Sequence, residues 1–329
     1  MILKTDPTST EPTPAVTRAA AVLRAGGLVA FPTETVYGLG AVATDARAVA
    51  RIFEAKDRPH FDPLIIHLGS ADWLDRCVAS VPPEAGRLAE RFWPGPLTMV
   101  LPKRENIPDI VTSGLPTVAV RMPAHPVARA LIHATGAPVA APSANRFGQL
   151  SPTTAQAVEE ELGQRVDLIL DGGPTQHGIE STIIALGETG PRLLRPGPVT
   201  LEELRECLGR EVIVATGPSA TPESPGMLLR HYAPRTPLRI LDSSTAATTT
   251  RDRRVGLLAF RAAPASRDFA VVETLSATGD LREAAANLFA ALRRLDAAGV
   301  DEIIAEPVPE TGLGRAIMDR LRKAAAPRA

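Results

Sequence analysis

Leu28-Val-Ala-Phe-Pro-Thr-Glu-Thr-Val-Tyr-Gly-Leu-Gly40 is the stretch whose reading decides the architecture. Leu28–Phe31 is wholly apolar, which predicts a short strand buried on both faces. Pro32 has no N–H to give to a ladder, so the strand stops there. Thr33, Glu34, Thr35 and Tyr37 follow, then two glycines. In open α/β sheets ligands bind beyond the carboxyl ends of strands, and a loop there has this composition. An ordinary polar turn has it too, so the rest of the chain must decide.

Working outward, a short helix is predicted from Thr17 to Leu23, stopped by Gly26-Gly27. On the other side Thr44 or Asp45 can cap a helix that carries Val49, Ile52 and Phe53 on one face and ends before Pro59. Strand-like runs recur at 63–68, 97–101, 117–122, 138–141, 166–170 and 181–186, several with helical stretches between them. The pattern predicts an α/β layer fold with a mixed twisted sheet. Thr200-Leu-Glu-Glu203 is a capping box, and its helix should end near Gly209.

Composition shifts at Thr216–Pro237, which holds five prolines and two glycines and reads as a linker. After it, strands at 238–241, 255–260, 270–275 and 301–305 accompany a helix over Asp280–Ala298 and another from Arg315. Strand–helix–strand–helix order predicts a smaller, Rossmann-like C-terminal α/β domain with a parallel sheet. The organisation expected is a disordered lead-in over 1–14, a catalytic domain over 15–215, a linker or lid over 216–237, and a second domain over 238–329.

The 329 residues, 44% hydrophobic and 22% charged, suit a soluble globular protein of two domains. A net charge of −1 argues against a global basic field for nucleic acid. Cys77 and Cys207 are too few for a disulfide framework or a Cys-rich zinc site. No apolar run approaches the roughly 18 residues of a membrane span, and no apolar core of a signal peptide precedes the first domain. A cytoplasmic location follows as the default.

The chemistry-bearing residues gather at strand ends. Lys56 and Arg58 close a helix, where cations complement the dipole, yet the chain has only four lysines. His67 lies in an apolar strand, where a satisfied core histidine is the commoner outcome. In Val118-Ala-Val-Arg-Met-Pro123, alternation sets Ala119 and Arg121 opposite Val118, Val120 and Met122. A buried guanidinium needs a partner, and no acid adjoins it, so the partner is a distant carboxylate or a ligand. Arg195 repeats the theme, while Ala141-Pro-Ser-Ala-Asn145 and Ile179-Glu-Ser-Thr182 add hydroxyl and amide groups. Together they describe a cleft for an anionic ligand. Two glycine motifs mislead: Gly38-Leu-Gly-Ala-Val-Ala43 precedes its helix instead of opening it, and Gly312-Leu-Gly314 lacks its third small residue. No phosphate-binding G-x-x-x-x-G-K-[ST] loop occurs.

Pro32–Gly40, Lys56-Asp-Arg58, Pro142–Asn145 with Ser151-Pro-Thr153, and Ser181-Thr-Ile183 resemble the YrdC-like family, whose signature is K-x-R plus S-x-N. Ser224–Pro234 and Gly312–Met318 resemble its two-domain form, the L-threonylcarbamoyladenylate synthases. The resemblance implies a nucleotidyltransferase that uses L-threonine, bicarbonate or CO2, and ATP with Mg2+, and releases pyrophosphate. It also implies that a separate transferase carries the product to tRNA. The implied threonine positions are Thr35, His67, Arg121, the Ala141 backbone and Ser181. The implied nucleotide positions are Lys56, Arg58, Asp62, Thr117, Ser143, Asn145, Ser151, Arg195 and Tyr232, with Lys56, Arg58, Ser143 and Asn145 as the catalytic set. Two positions depart from the family pattern. Asp62 replaces an asparagine, so its carboxylate must be protonated, metal-bound or turned onto Lys56 or Arg58, and magnesium is favoured. Phe147 replaces a small polar residue. Two other readings compete. The carbamoyltransferases of hydrogenase maturation need zinc modules that two cysteines cannot build. A non-catalytic RNA-binding module is disfavoured by the neutral charge.

Overall fold

The computed structural model describes residues 1–187, 190–215, 223–241, 253–262 and 269–327. The opening apolar run forms a strand over Val29–Phe31, and the chain turns back through 32–37 into an antiparallel partner, Gly38–Val42. Sequence pattern alone assigns 38–40 to the loop. The structure pairs them, and Gly40 is what permits it: a Cβ there would sit 2.7 Å from the Phe31 ring and 2.8 Å from Val139 Cγ1.

In chain order the first sheet comprises β1 (Ile2–Lys4), β2 (Val29–Phe31), β3 (Gly38–Val42), β4 (Ile65–His67), β5 (Leu97–Pro102), β6 (Thr117–Arg121), β7 (Val139–Ala140), β8 (Leu168–Asp171), β9 (Thr182–Gly187), β10 (Gly190–Arg195) and β11 (Ile213–Val214). In space the order is β1-β8-β2-β3-β7-β4-β6-β5-β9-β10-β11. Pairing is mixed: β2–β8, β4–β6 and β5–β9 run parallel, while β2–β3, β5–β6 and β9–β10 run antiparallel. The strands are short, those inside the sheet are buried, and helices cover them, which is the mixed twisted sheet expected.

The N-terminal expectation needs correction. Residues 1–14 are not a loose lead-in, because β1 pairs in parallel with β8, Ile2 facing Ile169 and Lys4 facing Asp171. Thr13 then accepts from Val16 N at 3.3 Å and caps the helix Pro14–Arg24. A three-residue strand is too short to show a period, and its partner edge lies far along the chain.

Asp45 caps the helix Ala46–Lys56, and Asp57 closes it in the left-handed region at φ 53°. The Thr200–Glu203 capping box forms in full, and Gly209 ends that helix. The second sheet holds β12 (Leu238–Ile240), β13 (Val255–Ala259), β14 (Val271–Thr274) and β15 (Glu302–Ala305), all parallel in the order β12-β15-β13-β14. The helices Leu281–Ala297 and Gly314–Ala325 pack on it. Its apolar core does not stop at the domain edge, since Val36, Leu150 and Ile179 of the first domain belong to the same cluster. The first part of the expected linker, 216–222, lies outside the described residues. No helix among the described residues is long and apolar enough to cross a membrane.

Candidate active site

The carboxyl end of β2 delivers Thr33, Thr35 and Val36 to a cavity whose other walls come from far along the chain. β4 contributes Ile65 and His67, β6 contributes Arg121, and the turn after β7 brings Ala141, Pro142 and Ser143. Glu180 and Ser181 enter just before β9, Arg195 at the end of β10, and Arg58 from beyond the Ala46–Lys56 helix. Pro225, Gly226, His231 and Tyr232 of the linker close it. The opening loop is therefore a site loop.

Arg121 is 3% exposed and finds its carboxylate inside that loop. Its Nη2 donates to Glu34 Oε1, Nη1 to Thr35 Oγ1 at 2.9 Å, and Nε to Gly95 O at 3.2 Å. Three of five N–H groups are thus used, leaving one on each Nη. Beside it His67 is held neutral: burial first, then the Arg121 charge, pushes its imidazole down to about 3. His67 Nδ1 has no hydrogen-bond partner, and the residue lines the cavity.

Arg58 is anchored on its own loop, with Nε donating to Asp62 O at 3.0 Å and Nη2 to Pro63 O at 2.8 Å. Asp62 Oδ2 stands 2.8 Å from Arg58 Nη2, but neither carboxylate oxygen is aligned to accept a hydrogen bond. Of the alternatives open for this fully buried acid, the structure has it turned onto Arg58. Burial raises the Asp62 pKa, opposed by the charges of Arg58, Lys56 and Arg195. Lys56 is equally enclosed and points at backbone: Nζ donates to Ser143 O at 2.6 Å and to Asn145 O. Burial and the Arg58 charge lower its pKa well below the usual lysine value. The K-x-R lysine thus ties the S-x-N turn in place.

Arg195 grips the segment before β9, with Nε on Ser181 O and Nη2 on Ser181 Oγ, both at 3.0 Å. Ser181 Oγ also meets Thr98 Oγ1 at 2.8 Å. Arg58 and Arg121 each have a carboxylate within salt-bridge distance, whereas the hydrogen bonds of Arg195 go to neutral oxygens and no such carboxylate stands beside it among the described residues, so its charge is the least offset in the wall. The cavity is less positive than three arginines suggest, because two of them already face a carboxylate.

The linker runs over these groups and is tied on both sides. Ala233 N donates to Gly148 O at 2.9 Å, His231 N to Lys323 O at 3.3 Å, and Arg230 Nη1 to Ala326 O at 2.6 Å. Tyr232 takes φ 58° and is 1% exposed, with its ring 5.8 Å from Phe289 and 5.1 Å from Arg320 Cζ. Gly226, at φ 84°, passes directly under it, and a Cβ there would come within 2.5 Å of Tyr232 Oη. Phe147 packs edge-on against His231, the ring centroids 5.8 Å apart.

Comparison with known proteins then decides the family. Residues 21–197 match the Sua5/YciO/YrdC profile, described as "Telomere recombination", and residues 199–326 match "Threonylcarbamoyl-AMP synthase, C-terminal domain". The chain belongs to the two-domain threonylcarbamoyl-AMP synthase family. It is 48% identical over 320 residues to the threonylcarbamoyl-AMP synthase of Pyrococcus abyssi, covering 93% of this chain and 92% of that one. The Bacillus subtilis relative of the same name is 46% identical over 325 residues, covering 95% and 93%. The crystal structure of P. abyssi Sua5 complexed with L-threonine superposes with a TM-score of 0.89 at 45% identity, covering 99% of this chain and 97% of that one.

Against the positions implied for this family, the cavity wall gathers Thr35, Arg58, His67, Arg121, Ala141, Ser143, Ser181, Arg195 and Tyr232. Lys56, Asp62, Asn145, Ser151 and Thr117 stand outside that wall. Asn145 Nδ2 holds Arg146 O and Gln149 O, Ser151 Oγ donates to Glu180 Oε1, and Thr117 pairs with Pro102 across β5 and β6. Lys56 borders a neighbouring cleft with Arg146, Phe147 and Arg235. Residue type alone does not single out Glu34, Glu180 or Gly226 as partners of the site arginines and of Tyr232. Glu34 and Glu180 carried a usable signal, being acids inside motifs already singled out in a chain with buried arginines.

Proposed function

We propose that the protein synthesises L-threonylcarbamoyl-AMP and pyrophosphate from L-threonine, bicarbonate or CO2, and ATP, as a nucleotidyltransferase. One observation carries the reading: a single cavity joins the Thr35–His67–Arg121–Ser181 group to Arg58, Arg195 and Ser143. The two N–H groups left on Arg121 suit the threonine carboxylate. A neutral His67 can sit beside an amine without repelling it as an ammonium. The neutral threonine amine adds to CO2, an N–C bond forming as one N–H proton is lost to solvent, to give a carbamate. A carbamate oxygen then attacks the α-phosphorus, and the bond to the pyrophosphate oxygen breaks. Arg58 and Arg195 are placed to offset the charge gathering on pyrophosphate, while Lys56 and Asn145 hold the turn that presents Ser143. The protein's part is positioning and electrostatics.

Magnesium is proposed to arrive with the phosphates, as the MgATP substrate. Pro225, Gly226, His231 and Tyr232 of the linker form part of the cavity wall. We read Ser224–Pro234 as a lid that opens to admit substrates and closes over the water-labile carbamate and mixed anhydride. We place the reaction in the cytoplasm and assign transfer of the product to tRNA to a separate enzyme.

Pyrophosphate release with each substrate omitted in turn tests the function. Release should require threonine, bicarbonate, ATP and magnesium together, and equal release without threonine would overturn the assignment.

A further inference from the structure

We infer that Arg320, on the second domain's last described helix, is a positioning residue for the first domain's active site; this rests on the synthase reading above. Arg320 is 1% exposed, and its guanidinium touches three segments that carry cavity-lining residues. Nε donates to Glu180 Oε2 at 2.9 Å and Nη2 to Glu180 O at 3.4 Å, fixing the segment that ends in Ser181. Nη1 donates to Pro196 O at 2.7 Å, the residue after Arg195, and also to Asp319 Oδ2 at 2.8 Å. Its Cζ lies 5.1 Å from the ring of Tyr232, which belongs to the linker. The other oxygen of Glu180 accepts from Ser151 Oγ.

One side chain therefore sets the mutual placement of Ser181, Arg195 and Tyr232. Ser181 and Arg195 are themselves hydrogen-bonded, so any shift of Glu180 passes to both. Holding two domains together does not call for such a group. Buried ion pairs lose much of their attraction to desolvation, and apolar residues of similar volume often hold an interface as well or better. What a planar fork adds is direction: donors at fixed angles to Glu180 and to Pro196 O, which an ammonium cannot reproduce. The apolar contacts of Val36, Leu150 and Ile179 with the second domain already supply cohesion.

The full-length Arg320→Lys protein tests this against a merely structural role. Pyrophosphate-release kinetics and thermal unfolding are to be measured side by side, well below the melting transition. The expected result is a kcat lower by about ten- to a hundredfold, with melting little changed, the scale of effect that small misplacements at an active site produce. An unchanged kcat in an active preparation overturns the inference and leaves the synthase reading intact. Loss of threonine-dependent release in the unaltered protein would instead overturn that reading. Should Arg320→Lys fail to fold, the double variant Glu180→Gln with Arg320→Met removes both buried charges and keeps the volume. Folded and slow, it supports positioning; folded and fully active, it refutes it.

Discussion

Arg121 has two N–H groups left after Glu34, Thr35 and Gly95 have taken theirs, and those two define its expected behaviour. Arg121→Lys keeps a charge beside Glu34 but loses the fork, so threonine should bind about ten- to a hundredfold more weakly, the equivalent of one charge-assisted hydrogen bond. ATP affinity should change much less. Calorimetry with each ligand decides, and the opposite pattern would mean that the two subsites are exchanged. Asp62→Asn separates two roles for its carboxylate. Turned onto Arg58, the acid offsets a phosphate-facing charge, so the amide should tighten ATP while lowering the melting temperature. A magnesium ligand would behave oppositely, with weaker ATP and a shifted magnesium titration. At this scale, alternation along β6 made Arg121's need for a partner legible. The partner was not, because Glu34 is 87 residues away in the chain. Lys56 was legible as important but not in its action, since the carbonyls of Ser143 and Asn145 leave no trace in residue type.

The linker is the element proposed to close the site. Tyr232→Ala removes a ring packed against Phe289 and Arg320, so it should cost about 3–5 kcal/mol of stability as well as activity. Tyr232→Phe is the cleaner change: packing stays, and only the hydroxyl over Gly226 is lost. Turnover should fall, with more ATP hydrolysed unproductively, while melting stays nearly constant. Limited proteolysis reads the lid directly. Cleavage within Ser224–Pro234 should slow when ATP and threonine are present together, and equal rates with and without them would make the segment a tether. Most elements were legible from period and caps, the Thr200 box and the C-terminal strands among them. β1 and β3 were not. One has only three residues, and the other is a glycine strand whose reason is the crowding of Phe31 and Val139 in space.

For the whole molecule, buried neutral histidines set the response to acid. His67 has a folded pKa near 3 and an unfolded value of about 6.5, so the unfolded chain binds the extra proton between them. Its stabilising effect is complete above about pH 6.5 and is lost progressively as the pH falls towards 3. Between pH 7 and pH 5 the loss is about 2 kcal/mol for this group alone. His231 acts in the same direction, its pKa depressed by burial and then by the charges of Arg58 and Lys56. Urea titrations should therefore show stability falling from pH 7 to pH 5, before ordinary carboxylates protonate; a flat profile there would refute the buried neutral state.

The shared cluster of Val36, Leu150 and Ile179 with the second domain's core has an inheritance-level consequence. The two profile matches meet near residue 198, which looks like a natural joint for shuffling the halves between relatives. A chimera cut there would graft a foreign surface onto three apolar side chains borne by site loops. Mismatched pairs should express poorly even when each half is sound, and compatibility should return when those three positions travel with the C-terminal half. The joint in the gene is not a joint in the molecule.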